Sequence, residues 1–229
     1  MIGFDPSLGA KPDKLLVHHE GDLHRQPLQG KAGVPNACSS VAAGDYDNDM
    51  DMDLHLVCTG PVENLPNRLF ENDGKANFVI VPDAGGAAGS KLGRGDVVVT
   101  ADYDRDGFLD LFVTNGSDPT SPFTEEGPHQ LFQNAGNSNH WLEVELEGVR
   151  SNRDGIGAKL ILEAGGTVQV RGQGGGMHRF SQDHQRIHFG LGNHAIVDRL
   201  TVRWPSDINQ TLENVAVDQI LKIQEPVQD

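Results

Sequence analysis

The sequence predicts an all-β fold, with partial β-propeller-type blades in its first part and a further β domain after them. Three observations lead there. Apolar and polar residues alternate with period two in segment after segment, the signature of half-buried strands. The 28 Gly and 12 Pro among 229 residues supply turns for many short strands, and no convincing apolar stripe at helical spacing runs beyond about three turns. An internal repeat of about 57 to 62 residues, with room for four short strands, matches the period of a propeller blade.

Two pairs of segments carry the repeat. Asn67-Arg68-Leu69-Phe70-Glu71-Asn72-Asp73-Gly74 returns as His129-Gln130-Leu131-Phe132-Gln133-Asn134-Ala135-Gly136, and Lys14–Gly21 is a degenerate copy. Gly44-Asp45-Tyr46-Asp47 returns as Ala101-Asp102-Tyr103-Asp104. The repeat stops after Asn139, which divides the chain into residues 1–138 and 139–229. In the second part the alternation is cleaner. Trp141 to Glu147 sets Leu142, Val144 and Leu146 on one face and three glutamates on the other. Ala158–Glu163 and Val168–Val170 are short strands joined by a hairpin at Gly165-Gly166. Arg199 to Trp204 opposes Leu200, Val202 and Trp204 to Arg199, Thr201 and Arg203, and Ile220–Ile223 closes the set.

With 33 acidic and 18 basic residues, the net charge of −15 excludes a basic nucleic-acid binder, since an acidic surface repels phosphate. No apolar run approaches the roughly 18 residues of a membrane span, so membrane insertion is excluded as well. The first twenty residues lack the apolar core of a signal peptide; the chain is cytosolic, or it starts after a cleaved or truncated N-terminus. Cys38 and Cys58 flank the first acidic segment. In a hairpin symmetrical about Asp49, Cys38 lies opposite residue 60 and Cys58 opposite residue 40. The two are then diagonal neighbours, and a disulfide and two buried thiols stand as alternatives.

Much of the acidity sits in two nine-residue loops. The first is Asp45-Tyr46-Asp47-Asn48-Asp49-Met50-Asp51-Met52-Asp53, the second Asp102-Tyr103-Asp104-Arg105-Asp106-Gly107-Phe108-Leu109-Asp110. Each has acids at positions 1, 3, 5 and 9 and leads into an apolar strand. Carboxylates packed this closely repel one another unless a cation neutralises them. Alternate spacing turns Asp45, Asp47 and Asp49, and likewise Asp102, Asp104 and Asp106, inward; position 7 adds a backbone carbonyl at Phe108, while Asp51 there adds a fifth carboxylate. An all-oxygen set of this size suits calcium, about two ions in all. Leu56 and Val113 stand where an EF-hand has its bidentate glutamate, so Asp53 and Asp110 must supply that ligation. Position 6 makes the sharp turn, which Gly107 takes freely and Met50 at a cost of roughly 1 kcal/mol.

The loops resemble the calcium loops of FG-GAP (VCBS) repeats, the blade units of integrin-α-type propellers. The tail resembles the ASPIC/UnbV domain of cartilage-acidic-protein-like proteins. It does so through Asn139-His140-Trp141-Leu142, Ser151-Asn152-Arg153-Asp154-Gly155-Ile156-Gly157-Ala158, Ser181-Gln182, His188-Phe189-Gly190-Leu191-Gly192, Val202-Arg203-Trp204-Pro205-Ser206 and Ile223-Gln224-Glu225. Met50 and Asp207 depart from the pattern, which has glycine at both places. The resemblance implies two FG-GAP/VCBS-like calcium loops within residues 1–138 and a β-sandwich-like domain in residues 139–229. It implies a calcium-stabilised extracellular or periplasmic module that binds a protein or glycan. Relatives of the UnbV part in natural-product biosynthesis imply the alternative, an enzyme with a pocket at His140, His178, Asp183 and His184. A family propeller has about seven blades, whereas this chain has room for two or three. It is therefore a fragment, or self-associates, or covers its open face with the C-terminal domain.

Several further features carry less. His178, His184 and His188 are evenly spaced, but Phe180 to Gln185 reads as a strand break and His188 as structural. Gly172 to Gly176 does not lead from strand to helix and is no dinucleotide loop. Arg94-Gly95-Asp96 adjoins a strand, and Asn115 and Asn209 head chance-prone glycosylation tripeptides.

Overall fold

The computed structural model describes residues 15–19, 22–26, 38–58, 66–90, 92, 94–116, 126–174, 177–178 and 181–227. Most of the first twenty residues, the ends of the degenerate repeat copy, Gly175, Gly176, Phe180 and the side chain of His178 lie outside the described residues. Among the described residues, every regular element apart from one short turn, Pro82–Gly86, is a strand. Among the described residues no helix is long and apolar enough to cross a membrane.

A two-stranded ribbon, β1 (Leu15–His19) and β2 (Asp22–Gln26), precedes the first complete blade. That blade is an antiparallel meander of β3 (Cys38–Gly44), β4 (Asp53–Cys58), β5 (Arg68–Asn72) and β6 (Phe78–Val81). The second blade has three strands, β7 (Arg94–Ala101), β8 (Asp110–Gly116) and β9 (Gln130–Phe132). The sequence repeat is thus a structural one: each acidic loop joins the first two strands of a blade, and each Leu-Phe segment is the third strand. β4 is covered on both faces, Val57 packing with Val98, Leu111 and Val113 of the next blade and Leu56 with Phe70 and Phe78. Among the described residues none of the sheets closes on itself, and the register partners Phe112 and Leu131 stay exposed on the second blade.

The C-terminal part is a β-sandwich. One sheet pairs β10 (His140–Glu147) with β15 (Ile187–Gly192) and, in parallel, with β18 (Gln219–Gln224). The other runs in the order β12 (Thr167–Gly172), β11 (Lys159–Ala164), β16 (Ile196–Arg203), β17 (Asn209–Ala216). A small ribbon, β13 (Met177–His178) and β14 (Ser181–Gln182), lies between β12 and β15 in the chain. The inward residues of both sheets form one core: Leu142, Val144 and Phe189 meet Leu160, Leu162, Leu200 and Val202, with Trp204 at its end. The alternation read from the sequence is the alternation of this core.

Two local expectations change. In β3 and β4, Gly44 pairs with Asp53 and Val41 with Leu56, so the hairpin is centred between Asn48 and Asp49 and not on Asp49. That alone would set Cys38 opposite residue 59, and a bulge at Ser39 removes one further residue from the count. Cys38 therefore faces Cys58 directly and not diagonally, and the two form a disulfide. The glutamate face of β10 is not wholly solvated either. Glu143 is 1% exposed and pairs with Arg186 Nη1 at 2.9 Å, because the second acidic loop covers that face.

Candidate metal centres

The two acidic loops fold alike, and their carboxylates are held by the loops' own amides. In the first, Asp45 Oδ1 accepts from the N–H of Asp49 at 3.0 Å, and Oδ2 from that of Met50 at 3.0 Å. In the second, Asp102 accepts from Asp106 at 3.1 Å and from Gly107 at 3.0 Å. Position 3 accepts from the position-5 amide, at 3.2 Å for Asp47 and 3.3 Å for Asp104. Position 5 accepts from the position-7 amide, at 3.1 Å for Asp49 and 2.9 Å for Asp106. Positions 4 and 6 are left-handed in both, Asn48 and Met50 at φ 60° and 85°, Arg105 and Gly107 at 65° and 90°. The chain thus coils tightly enough to bring alternate carboxylates to one point. One oxygen from each of Asp45, Asp47 and Asp49 lies within 4.8 Å of the others, and the same holds for Asp102, Asp104 and Asp106.

Position 9 also braces the loop. Asp53 accepts from the amides of Tyr46 (3.2 Å) and Asn72 (3.0 Å); Asp110 accepts from Tyr103 (2.9 Å) and Asn134 (2.7 Å). It ties the start of the loop to the end of the third strand, at Asn72, or just beyond it, at Asn134. Asn72 and Asn134 then reach back with Nδ2 to the position-8 carbonyls, Met52 O at 3.3 Å and Leu109 O at 3.2 Å, and Asn134 Nδ2 also donates to Tyr46 O of the first loop at 2.7 Å. These asparagines were not singled out from the sequence, although they stand at the same place in both copies of the repeat. That coincidence was the available signal.

Electrostatics fit the geometry. Burial, reinforced by Asp49 and Asp47, pushes the Asp45 carboxyl up to about 8. Asp47 rises to about 6 through burial and the neighbouring Asp49, and Asp51 to about 7 through burial, Asp49 and Asp47. Asp53 rises to about 7 by burial, against the pull of the Asn72 and Tyr46 amides. Burial likewise raises Asp102 and Asp110, opposed by their backbone donors. Desolvated carboxylates facing one another favour a proton or a cation between them. The oxygen-only donors fit a hard cation such as Ca2+, which would be held by positions 1, 3 and 5 of each loop.

The loops are wedged against the sandwich. A Cβ on Gly190 would lie 2.2 Å from Asp45 Oδ2, and one on Gly107 1.9 Å from the indole of Trp141. Met50 packs on the sandwich core, which offsets part of its backbone cost. A cavity of about 130 Å³ lies along this junction, lined among others by Asp45, Asp102, Glu143, Arg171 and His188. Asp183 and His184 are on its wall, Asp183 Oδ1 accepting from the Thr100 amide at 2.8 Å. His140 is elsewhere, its Nδ1 2.8 Å from Asp218 Oδ2 at the start of β10. The structure therefore joins two of the four residues named for an enzymatic pocket and separates His140 from them.

Repeated acidic loops between the first two strands of successive blades, docked on a β-sandwich, define a class of repeat protein. Residues 45–113, from the first loop to just beyond the second, match the FG-GAP-like repeat family. Residues 148–229 match the ASPIC and UnbV family. The two matches fall in the order, FG-GAP-like and then ASPIC/UnbV, that the resemblance to cartilage-acidic-protein-like proteins implied. Cartilage acidic protein 1 of Mus musculus is 27% identical over 204 residues, 86% of this chain and 30% of that protein. The Xenopus tropicalis protein of that name is 26% identical over 207 residues, 87% of this chain and 30% of its own length. The Homo sapiens one is 28% identical over 192 residues, 81% and 27% respectively. The chain thus spans about 30% of the length of the curated relatives it matches.

Proposed function

We propose that the protein is a calcium-binding extracellular interaction module in which two ions order the acidic loops and so set the surface offered to a protein or glycan ligand. The observation that carries this reading is the duplicate geometry. Two loops of different sequence at positions 4, 6, 7 and 8 use the same scheme of amide donors to aim three carboxylates at one point. Chance acidity on a surface would not reproduce such a scheme twice. The Cys38–Cys58 disulfide supports an oxidising compartment, extracellular or periplasmic. The FG-GAP-like match and the cartilage acidic protein relatives support an extracellular interaction module. Residues 1–138 supply the ion-binding blades and residues 139–229 the sandwich on which they rest.

Isothermal calorimetry with calcium tests the reading. Two ions should bind per chain, with Asp47→Ala removing one and Asp104→Ala the other. A stoichiometry unaffected by both substitutions would refute it.

A further inference from the structure

We infer that Asn48 and His188 are positioning residues that couple the two acidic loops, so that an ion in one loop tightens binding in the other. This rests on the calcium reading above and goes beyond it, because nothing in two independent loops requires that they communicate.

The peptide joining Gly107 to Phe108 turns its N–H inward, to Asp106 Oδ1 at 2.9 Å. Its C=O turns outward and accepts from two residues, the Asn48 Nδ2 of the first loop at 3.0 Å and the His188 Nε2 of β15 at 3.0 Å. The peptide joining Asn48 to Asp49 is arranged alike. Its N–H faces Asp45 Oδ1 and Asp47 Oδ1, and its C=O accepts from the Gly192 amide of β15 at 2.7 Å. One peptide further back, Asp47 O accepts from Asn137 Nδ2 at 2.6 Å and Asn139 Nδ2 at 2.8 Å. In each loop, then, the group that orients a ligating carboxylate is fixed from behind by something outside that loop.

Asn48 is the direct link. It is completely buried, and its side chain donates to the other loop and not to its own carboxylates. Arg105, its counterpart at position 4 of the second loop, points to solvent. His188 joins Asn48 on the same carbonyl, which mounts the pair on the sandwich. Asp45 and Asp102, the position-1 residues of the two loops, line the same cavity. An ion that fixes the Asp106-facing peptide of the second loop thereby fixes the acceptor of Asn48, and the reverse holds by linkage.

The test is calcium calorimetry on a small set of variants. Asp47→Ala and Asp104→Ala each leave a single loop, and their affinities give the values for isolated sites. In the wild-type protein the overall two-ion constant should exceed the product of the single-loop constants by on the order of fivefold or more. Asn48→Gly keeps the left-handed backbone and removes the amide; it should lower that factor while both ions still bind, the remainder passing through Asn134, which joins Asp110 to Tyr46 O. His188→Leu should do the same in part, and His188→Gln, which keeps a donor, should restore coupling. Trp141 emission, adjacent to Gly107, should respond to calcium in Asp104→Ala and less in Asp104→Ala/Asn48→Gly. Single-loop constants whose product equals the wild-type value would overturn the inference and leave the calcium reading intact. A wild-type protein that takes up no calcium would overturn both.

Discussion

Replacing Gly107 with alanine probes the junction at its tightest point. The added Cβ would fall 1.9 to 2.2 Å from Cε2, Nε1 and Cδ2 of Trp141, and the backbone there is left-handed at φ 90°. The conformational penalty for a residue with a side chain is about 1–2 kcal/mol. Trp141 must also leave the loop. If it re-exposes roughly half the 150–250 Å² that such a side chain buries, the loss is about 2–3 kcal/mol at 25 cal/mol per Å². The sum, about 3–5 kcal/mol, is a large part of the stability of an ordinary domain. Urea unfolding followed by far-UV circular dichroism measures it, and a shift in Trp141 emission under native conditions locates it. Met50→Ala, at the matching position of the first loop, changes no backbone preference and costs only the packing of Met50 on the sandwich. A Gly107→Ala protein within about 0.5 kcal/mol of wild type, with unchanged emission, would refute the packing argument.

Three further outcomes follow from named contacts. Cys38→Ser/Cys58→Ser removes a cross-link with a sequence separation of 20 and should cost roughly 3 kcal/mol in urea unfolding, with reductant producing the same loss in the wild type. Arg186→Ala leaves Glu143, 1% exposed, without its guanidinium and should cost about 3–5 kcal/mol, part of which Glu143→Gln in the same chain should recover. Burial alone would raise the Glu225 carboxyl, but the Ser206 hydroxyl and the amides of Ser151 and Val149 outweigh it and hold it near about 2, below its ordinary 4.5. A depressed carboxyl stabilises above the unfolded value and loses that contribution as pH falls toward the folded one. Glu225→Gln should therefore be destabilising at pH 7, and the gap to wild type should narrow between about pH 4.5 and 2.

Most of the architecture was legible because burial and strand period coincide. Leu142, Val144 and Leu146 alternate in the sequence and line one core in the fold. The acidic loops were legible because charge repulsion leaves a strong compositional mark. What escaped depends on contacts between distant segments. Glu143 looks like its neighbours Glu145 and Glu147, and only the approach of the second loop makes it buried. The bulge at Ser39, which sets Cys38 opposite Cys58, leaves no trace in the residue types around it. Asn48 reads as an ordinary turn residue until Gly107 O is found 3.0 Å from its amide. Asn72 and Asn134 are the intermediate case, visible as a repeat but not as the residues that close each loop.

The central claim is that ions in the two loops hold the native state together, and thermal unfolding with and without a chelator tests it most directly. Binding to the native state alone stabilises it by about 2.7 kcal/mol at a free ion concentration one hundred times Kd. EDTA should therefore lower the melting temperature, and calcium, more than magnesium, should restore it, with about two equivalents of calcium found by elemental analysis of the dialysed protein. A melting curve that EDTA leaves in place, together with a protein free of bound metal, would contradict the account.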